Sequence, residues 1–165
     1  YNKDIDPSLS AFVVVCSDSI SAGHKQDFAG KAIISELETH KVNVIDYSII
    51  PDNANEIKNQ LKNALNKKVN LIIYTGGTGL SKTDITPETL IPLIERRIPG
   101  VEEAMRSYGQ DRTPYAMLSR SVAGLIDDTL VLSLPGSTGG AKETMQSIFP
   151  SILHLFHIIQ GGKRH

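Results

Sequence analysis

The order of apolar runs in this chain predicts an α/β fold: a three-layer sandwich with a mostly parallel central sheet, helices on both faces and a small β-hairpin. Three observations predict it. Short, β-branched apolar runs alternate with stretches of helical spacing. The early runs end in loops rich in Gly, Ser or Asp, the usual ligand side of a parallel sheet. At 165 residues the chain can enclose one full sheet with both faces covered.

Residues 1–10 (YNKDIDPSLS) are polar and without periodicity, so we read them as an extension or as a linker of the kind that joins an upstream domain, and expect one domain over 11–165. FVVVC at 12–16 has the continuous apolar character of a strand buried on both faces. Ala29, Ile33 and Leu37 then recur at helical spacing, and VNVIDYSII at 42–50 returns to strand chemistry, completing a βαβ unit. Ile57, Leu61, Ala64 and Leu65 mark the next helix, followed by a short strand at 69–74 that runs into TGGTG. Near the end, SVAGLIDDTLVLSLPG holds two apolar runs parted at Asp127 and Asp128, which predicts a hairpin feeding the last strand. The tail over 151–161 predicts a helix with Ile152, Leu155, Phe156 and Ile159 on its apolar side, ended by Gly161 and Gly162.

Composition narrows the partners. Lys plus Arg total 17 against 18 Asp plus Glu, with no run of like charge, so a broad basic face for nucleic acid is not expected. Apolar runs are far too short for a membrane span, and the start lacks the pattern of a signal peptide. The single cysteine, Cys16, forms no intramolecular disulfide, which fits a reducing compartment, and the cytoplasm is the expected location. Cys16 is read as a small core residue. His154 and His157 lie three apart with no third ligand in view and are read as packing or surface groups. Arg96–Arg97 and Lys67–Lys68 are read as solvated cations at helix ends.

The chemistry concentrates on three loops, 17–23, 51–55 and 76–86, all carrying carboxylates. Gly76, Gly77 and Gly79 can turn sharply and bring backbone N–H groups to an anion with no side chain between, a phosphate cradle. GGTGLSKT has neither the Gly-Lys pair of a P-loop nor the GxGxxG spacing. Downstream, Thr86 suits a helix cap, Pro87 the first helical position and Glu88 the positive end of the dipole. Asp84 is thereby left outside the helix, free to hold Mg²⁺ that carries phosphates, or else it is a solvated loop carboxylate. Asp52 is equally open: it caps the next helix, or Asn53 caps it with Glu56 as reciprocal partner and Asp52 is spare.

TGGTGLSKTDITPET, with IPD, CSDSISAG, TPYAMLSRSVAG and LPGSTGGAKE, resembles the MogA/MoaB family of molybdenum cofactor proteins over nearly the whole chain from Ala11. The core is shared with molybdenum insertases and CinA-like nucleotide hydrolases, while SDSISAG and AMLSRS favour the adenylyltransferase branch. The resemblance implies AMP transfer from Mg-ATP to the terminal phosphate of molybdopterin by a homotrimer, with other cofactor-assembly domains or proteins as further partners. It implies catalytic and Mg²⁺-aligning roles for Asp52 and Asp84. It also implies nucleotide or pterin contacts at Ser17, Asp18, Ser19, Gly76, Gly77, Thr78, Gly79 and Thr86, with Pro135, Gly136 and Ser137 as the facing wall and Lys142 near an anion. Two departures stand out: Ala29 replaces a common small hydroxyl residue, and the end of GSTGGAKE is closer to the MoaB-like pattern. Two other readings follow from the same residues, a non-catalytic pterin-binding or scaffold domain and a CinA-like nucleotide pyrophosphatase.

Overall fold

A computed structural model describes residues 9–162, so residues 1–8 of the expected extension lie outside the described residues, as do the last three. The sheet has six strands: β1 (Ser10–Cys16), β2 (Asn43–Ile50), β3 (Leu71–Thr75), β4 (Arg96–Arg97), β5 (Ala123–Ile126) and β6 (Thr129–Leu134). Their spatial order is β2-β1-β3-β6-β5-β4. The first four in that order run parallel, and β5 and β4 close the far edge antiparallel. This is the expected mostly parallel sheet with a hairpin.

The helices are α1 (Asp18–Ser21), α2 (Ala29–Thr39), α3 (Ala54–Asn66), α4 (Thr86–Leu90), α5 (Pro99–Gln110), α6 (Thr138–Ile148) and α7 (His154–Gly162). Helices α2, α5, α6 and α7 cover one face through Ile33, Leu37, Met105, Met145 and Phe156, packed on Val13, Ile73 and Leu132 of the sheet. Helix α3 covers the other with Ile57 and Leu61, together with Leu90 of α4, packed on Phe12, Val14, Ile72 and Tyr74. Successive residues of a strand point to opposite faces. Ile72 and Ile73 therefore enter different cores, which is why a buried parallel strand reads as one unbroken apolar run. Each of these fully buried aliphatic side chains contributes about 1.5–3 kcal/mol.

The folded unit reaches slightly further back than Ala11: Leu9 is buried, and its carbonyl accepts from Asn43 N–H at 2.8 Å. The hairpin turns at Asp127, whose φ of +50° lies in the left-handed region that Asp tolerates in tight turns. On the tail, Ile152 and Phe156 are buried with Leu155 and Ile159 partly so, as the spacing predicts, although its first turn at Ser151–Leu153 is 3-10.

Two elements differ from the sequence reading. Arg96 and Arg97 are not at a helix end; they form β4, paired with Leu125 and Gly124. Arg97 makes a bidentate ion pair with the buried Glu102, whose carboxylate also accepts from Ala123 N–H at 3.0 Å. A solvated cation carries no such geometry, and the partner lies on a helix that sequence spacing did not reveal, α5. Lys67 and Lys68 do sit at the end of α3, with Lys67 Nζ 5.7 Å from the Phe12 ring centroid. Among the described residues, no helix is long and apolar enough to cross a membrane.

Candidate functional site

The carboxyl ends of β1, β2, β3 and β6 bring four loops together. At the centre, β3 leads into Gly76 and Gly77, with φ of +103° and +70°. A side chain at Gly76 would begin 2.2 Å from the Cys16 carbonyl oxygen, and one at Gly77 would begin 2.3 Å from Thr86 Oγ1. Only glycine fits either position.

Every carbonyl of this turn is held by the protein. Gly76 O accepts from Thr86 Oγ1 (3.0 Å), Gly77 O from Thr86 N–H (3.1 Å), Thr78 O from Arg120 N–H (2.9 Å) and Gly79 O from Arg120 Nε (2.8 Å). The amides differ. Gly76 N–H donates to Leu134 O at 3.0 Å, but among the described residues no acceptor takes the N–H groups of Gly77, Thr78 or Gly79. The sequence reading grouped Gly76 with the anion-binding amides; its N–H instead continues the β3–β6 ladder, and its own part is the turn. Because C=O and the following N–H point opposite ways across a trans peptide, tying the carbonyls fixes the direction of each of the next three amides.

Two carboxylates flank these amides. Asp52 Oδ1 lies 3.4 Å from where a Cβ on Gly77 would sit, and Asp84 Oδ2 lies 2.7 Å from where one on Gly79 would sit. Asp84 is outside the helix and accepts from Ser81 N–H at 3.0 Å. Asn53, not Asp52, caps α3, accepting from Glu56 N–H at 3.1 Å; Asn53 N–H bonds to Pro51 O, so the reciprocal Glu56 contact is absent. Asp52 is not spare in every atom: it exchanges bonds with Asp18, accepting Asp18 N–H at Oδ2 (3.3 Å) and donating its own N–H to Asp18 Oδ1 (2.9 Å). Its Oδ1 is buried and has no hydrogen-bond partner among the described residues. Burial raises the Asp52 pKa above the ordinary carboxylate range; the Asp18 amide opposes this, and the nearby Asp18 and Asp84 charges add to it.

The other expected site residues take varied places around this cluster. Ser17 caps α1, accepting from Ile20 N–H at 3.2 Å, while Asp18 and Ser19 are exposed beside it. Thr86 does not cap α4. It is the first helical residue, fully buried, and spends its hydroxyl on Gly76 O, with Ile85 in the cap position. Thr78 is buried, its hydroxyl 3.4 Å from Ser119 Oγ. Gly136 abuts the cradle, a Cβ there falling 3.1 Å from Gly76 Cα; Pro135 O accepts from Thr75 Oγ1, and Ser137 caps α6 through Gly140 N–H (3.1 Å). Lys142 is exposed on α6. Cys16 lies buried beneath the turn, and burial pushes its thiol up to about 12, so it stays neutral and serves as core. His154 and His157 stack on each other at 5.7 Å.

Beyond the Pro135–Ser137 wall lies a second recess of about 190 Å³, lined by Met105, Arg106, Tyr115, Ser119, Ser121 and Thr144 among others. Neither Asp52 nor Asp84 lines it, so the recess is distinct from the carboxylate-flanked turn and meets it at Pro135 and Ser137. Arg120, Arg106 and the recess side chains other than Pro135 and Ser137 escaped the sequence reading. For Arg120, Tyr115, Ser119 and Ser121 the signal was the segment TPYAMLSRS, in which Arg120 meets the glycine turn through the fold and not through spacing.

The chain matches, over residues 12–154, the family model described as "Probable molybdopterin binding domain". It is 38% identical over 149 residues to a molybdenum cofactor biosynthesis bifunctional protein of Chlorobaculum tepidum, covering 90% of this chain and 48% of that one. It is 36% identical to molybdenum cofactor biosynthesis protein B of Staphylococcus aureus, covering 94% and 95%. A crystal structure of the molybdopterin biosynthesis enzyme MoaB of Thermus thermophilus superposes with a TM-score of 0.87 at 37% identity, covering 93% and 97%. The chain thus spans about half the bifunctional relative and nearly all of the single-domain ones.

Proposed function

This chain belongs to the molybdopterin-binding domain family of molybdenum cofactor biosynthesis, and on that footing we propose that it transfers the adenylyl group of Mg-ATP to the terminal phosphate of molybdopterin. The observation that carries the reading is the glycine turn: three adjacent amides without an acceptor among the described residues, their carbonyls tied away, flanked by two carboxylates. Such a turn suits the oxygens of a polyphosphate.

The residues fit Mg²⁺, which binds through one or two carboxylates plus substrate phosphates. Asp52 Oδ1 is a buried oxygen with no partner among the described residues, and a cation would relieve the burial and the like charges that raise its pKa. Asp52 and Asp84 would hold the ion, which when bound neutralises phosphate charge. The amides of Gly77, Thr78 and Gly79 bind phosphate oxygens, and Asp52 and Asp84 fix the register of the triphosphate. The recess beside Ser119 and Ser137 holds the pterin, so that its phosphate faces the cradle across Gly136. An oxygen of the pterin phosphate attacks the α-phosphorus as the bond to the β-phosphate oxygen breaks, and pyrophosphate leaves with the electron pair. Positioning and charge stabilisation supply the acceleration, and no protein nucleophile takes part.

Mg-ATP with molybdopterin is expected to release pyrophosphate, and Asp84→Ala to abolish release while circular dichroism stays unchanged. Unchanged turnover in that variant removes the mechanism. Pterin binding with no pyrophosphate from the wild type points instead to the scaffold role. A homotrimer, proposed from the family likeness alone, is checked by light scattering, where a monomer mass at micromolar concentration counts against it.

A further inference from the structure

Arg120 makes more contacts to the glycine turn than any residue the sequence singled out, and it comes from a segment far away in the chain. Its backbone N–H donates to Thr78 O (2.9 Å), its Nε to Gly79 O (2.8 Å) and its Nη2 to Gly79 O and to Asp84 O (2.8 Å). The other side of the guanidinium is held by the Glu88 carboxylate. That bond draws the Glu88 carboxyl below its usual range.

The trans peptide converts these contacts into directions. Holding Thr78 O fixes the direction of Gly79 N–H, holding Gly79 O fixes that of Leu80 N–H, and holding Asp84 O fixes the backbone that carries the Asp84 carboxylate. We propose that Arg120 is a positioning residue for the cradle, a clamp that directs the amides of the turn and the Asp84 carboxylate at a bound polyphosphate; this rests on the polyphosphate reading above. Arginine is required for it because a planar fork with five donors can satisfy Gly79 O, Asp84 O and Glu88 together, whereas an ammonium offers one nitrogen. Thr86 is the matching clamp for the first half of the turn, holding Gly76 O and Gly77 O.

A purely structural role makes a different prediction, so two readouts are taken on the full chain: amide hydrogen exchange, and the kinetics of pyrophosphate release with Mg-ATP and molybdopterin. In Arg120→Ala, exchange at the hydrogen-bonded amides beside the turn, Ser81, Asp84 and Thr86, is expected to speed by about 10-fold or more while strand β3 stays protected, because the opening is local. kcat is expected to fall about 100-fold with KM for Mg-ATP changed by less than about 3-fold, as for loss of a preorganised donor set. Arg120→Lys is expected to recover the melting temperature without recovering kcat. Restoration of kcat by lysine, or exchange unchanged or raised across the whole chain, overturns the proposal. If Arg120→Ala does not fold, Glu88→Gln at an exposed position carries the same local exchange test, with an expected acceleration of about 3-fold. If the wild type releases no pyrophosphate, the functional reading fails by itself, and exchange alone then judges the clamp.

Discussion

Replacing Gly76 by alanine tests the cradle at its tightest point. The residue sits at φ +103°, where an L side chain costs on the order of 1–3 kcal/mol. The added methyl would also start 2.2 Å from the Cys16 carbonyl oxygen. That oxygen cannot swing away cheaply, because Cys16 closes β1, the strand gripped between β2 and β3. Relief therefore requires the turn itself to move, at about 1–3 kcal/mol for an overpacked site. Together these give a destabilisation of about 2–6 kcal/mol, or at the middle of that range a fall in melting temperature of roughly 10 °C for a chain this size. Urea titration followed by far-ultraviolet circular dichroism measures it, with Gly139→Ala as the control. Gly139 lies in the first turn of α6, with nothing within 4 Å of an added Cβ, and its replacement is expected to gain about 0.5 kcal/mol. A Gly76→Ala midpoint within about 1 kcal/mol of wild type, at an unchanged slope, would refute the assignment of this glycine to a sterically closed turn.

Asp52→Asn is expected to stabilise the ligand-free protein at neutral pH by about 0.5–1 kcal/mol, since it removes a carboxylate with a buried, unpartnered oxygen at a site still partly screened by solvent. The folded pKa of Asp52 is raised, so the folded state holds its proton more tightly than the unfolded chain. The wild type is therefore expected to lose stability relative to Asp52→Asn as pH rises from about 4 through the raised folded value, and parallel melting curves across that range would contradict the assignment. Glu102→Ala strands Arg97 and the Ala123 amide and is expected to cost about 3 kcal/mol by chemical denaturation. Thr86→Val removes the donor to Gly76 O and is expected to cost about 1–2 kcal/mol, with kcat for pyrophosphate release lowered as in Arg120→Ala; unaltered kcat would separate this hydroxyl from the cradle.

The sequence by itself determined the architecture and the centre of the site. Continuous apolar runs at β1 and β3, and helical spacing through Ile33 and Leu37 and again through Ile57 and Leu61, are local patterns, and a buried parallel strand cannot hide them. The glycines announced a sharp turn, and the spacing to Asp84 left that carboxylate outside a helix, because cap and dipole preferences act within a few residues. What only the tertiary structure decided is who holds whom across the fold. Thr86 has the composition of a cap, yet its hydroxyl goes to Gly76 O, ten residues back. Arg97 reads as a solvated cation until α5 offers Glu102. Arg120 meets Gly79 from 41 residues away, and Gly76 gives its amide to the neighbouring strand and not to the cradle. Hydrogen bonds between distant segments depend on where the sheet delivers their ends, and residue spacing carries no record of that.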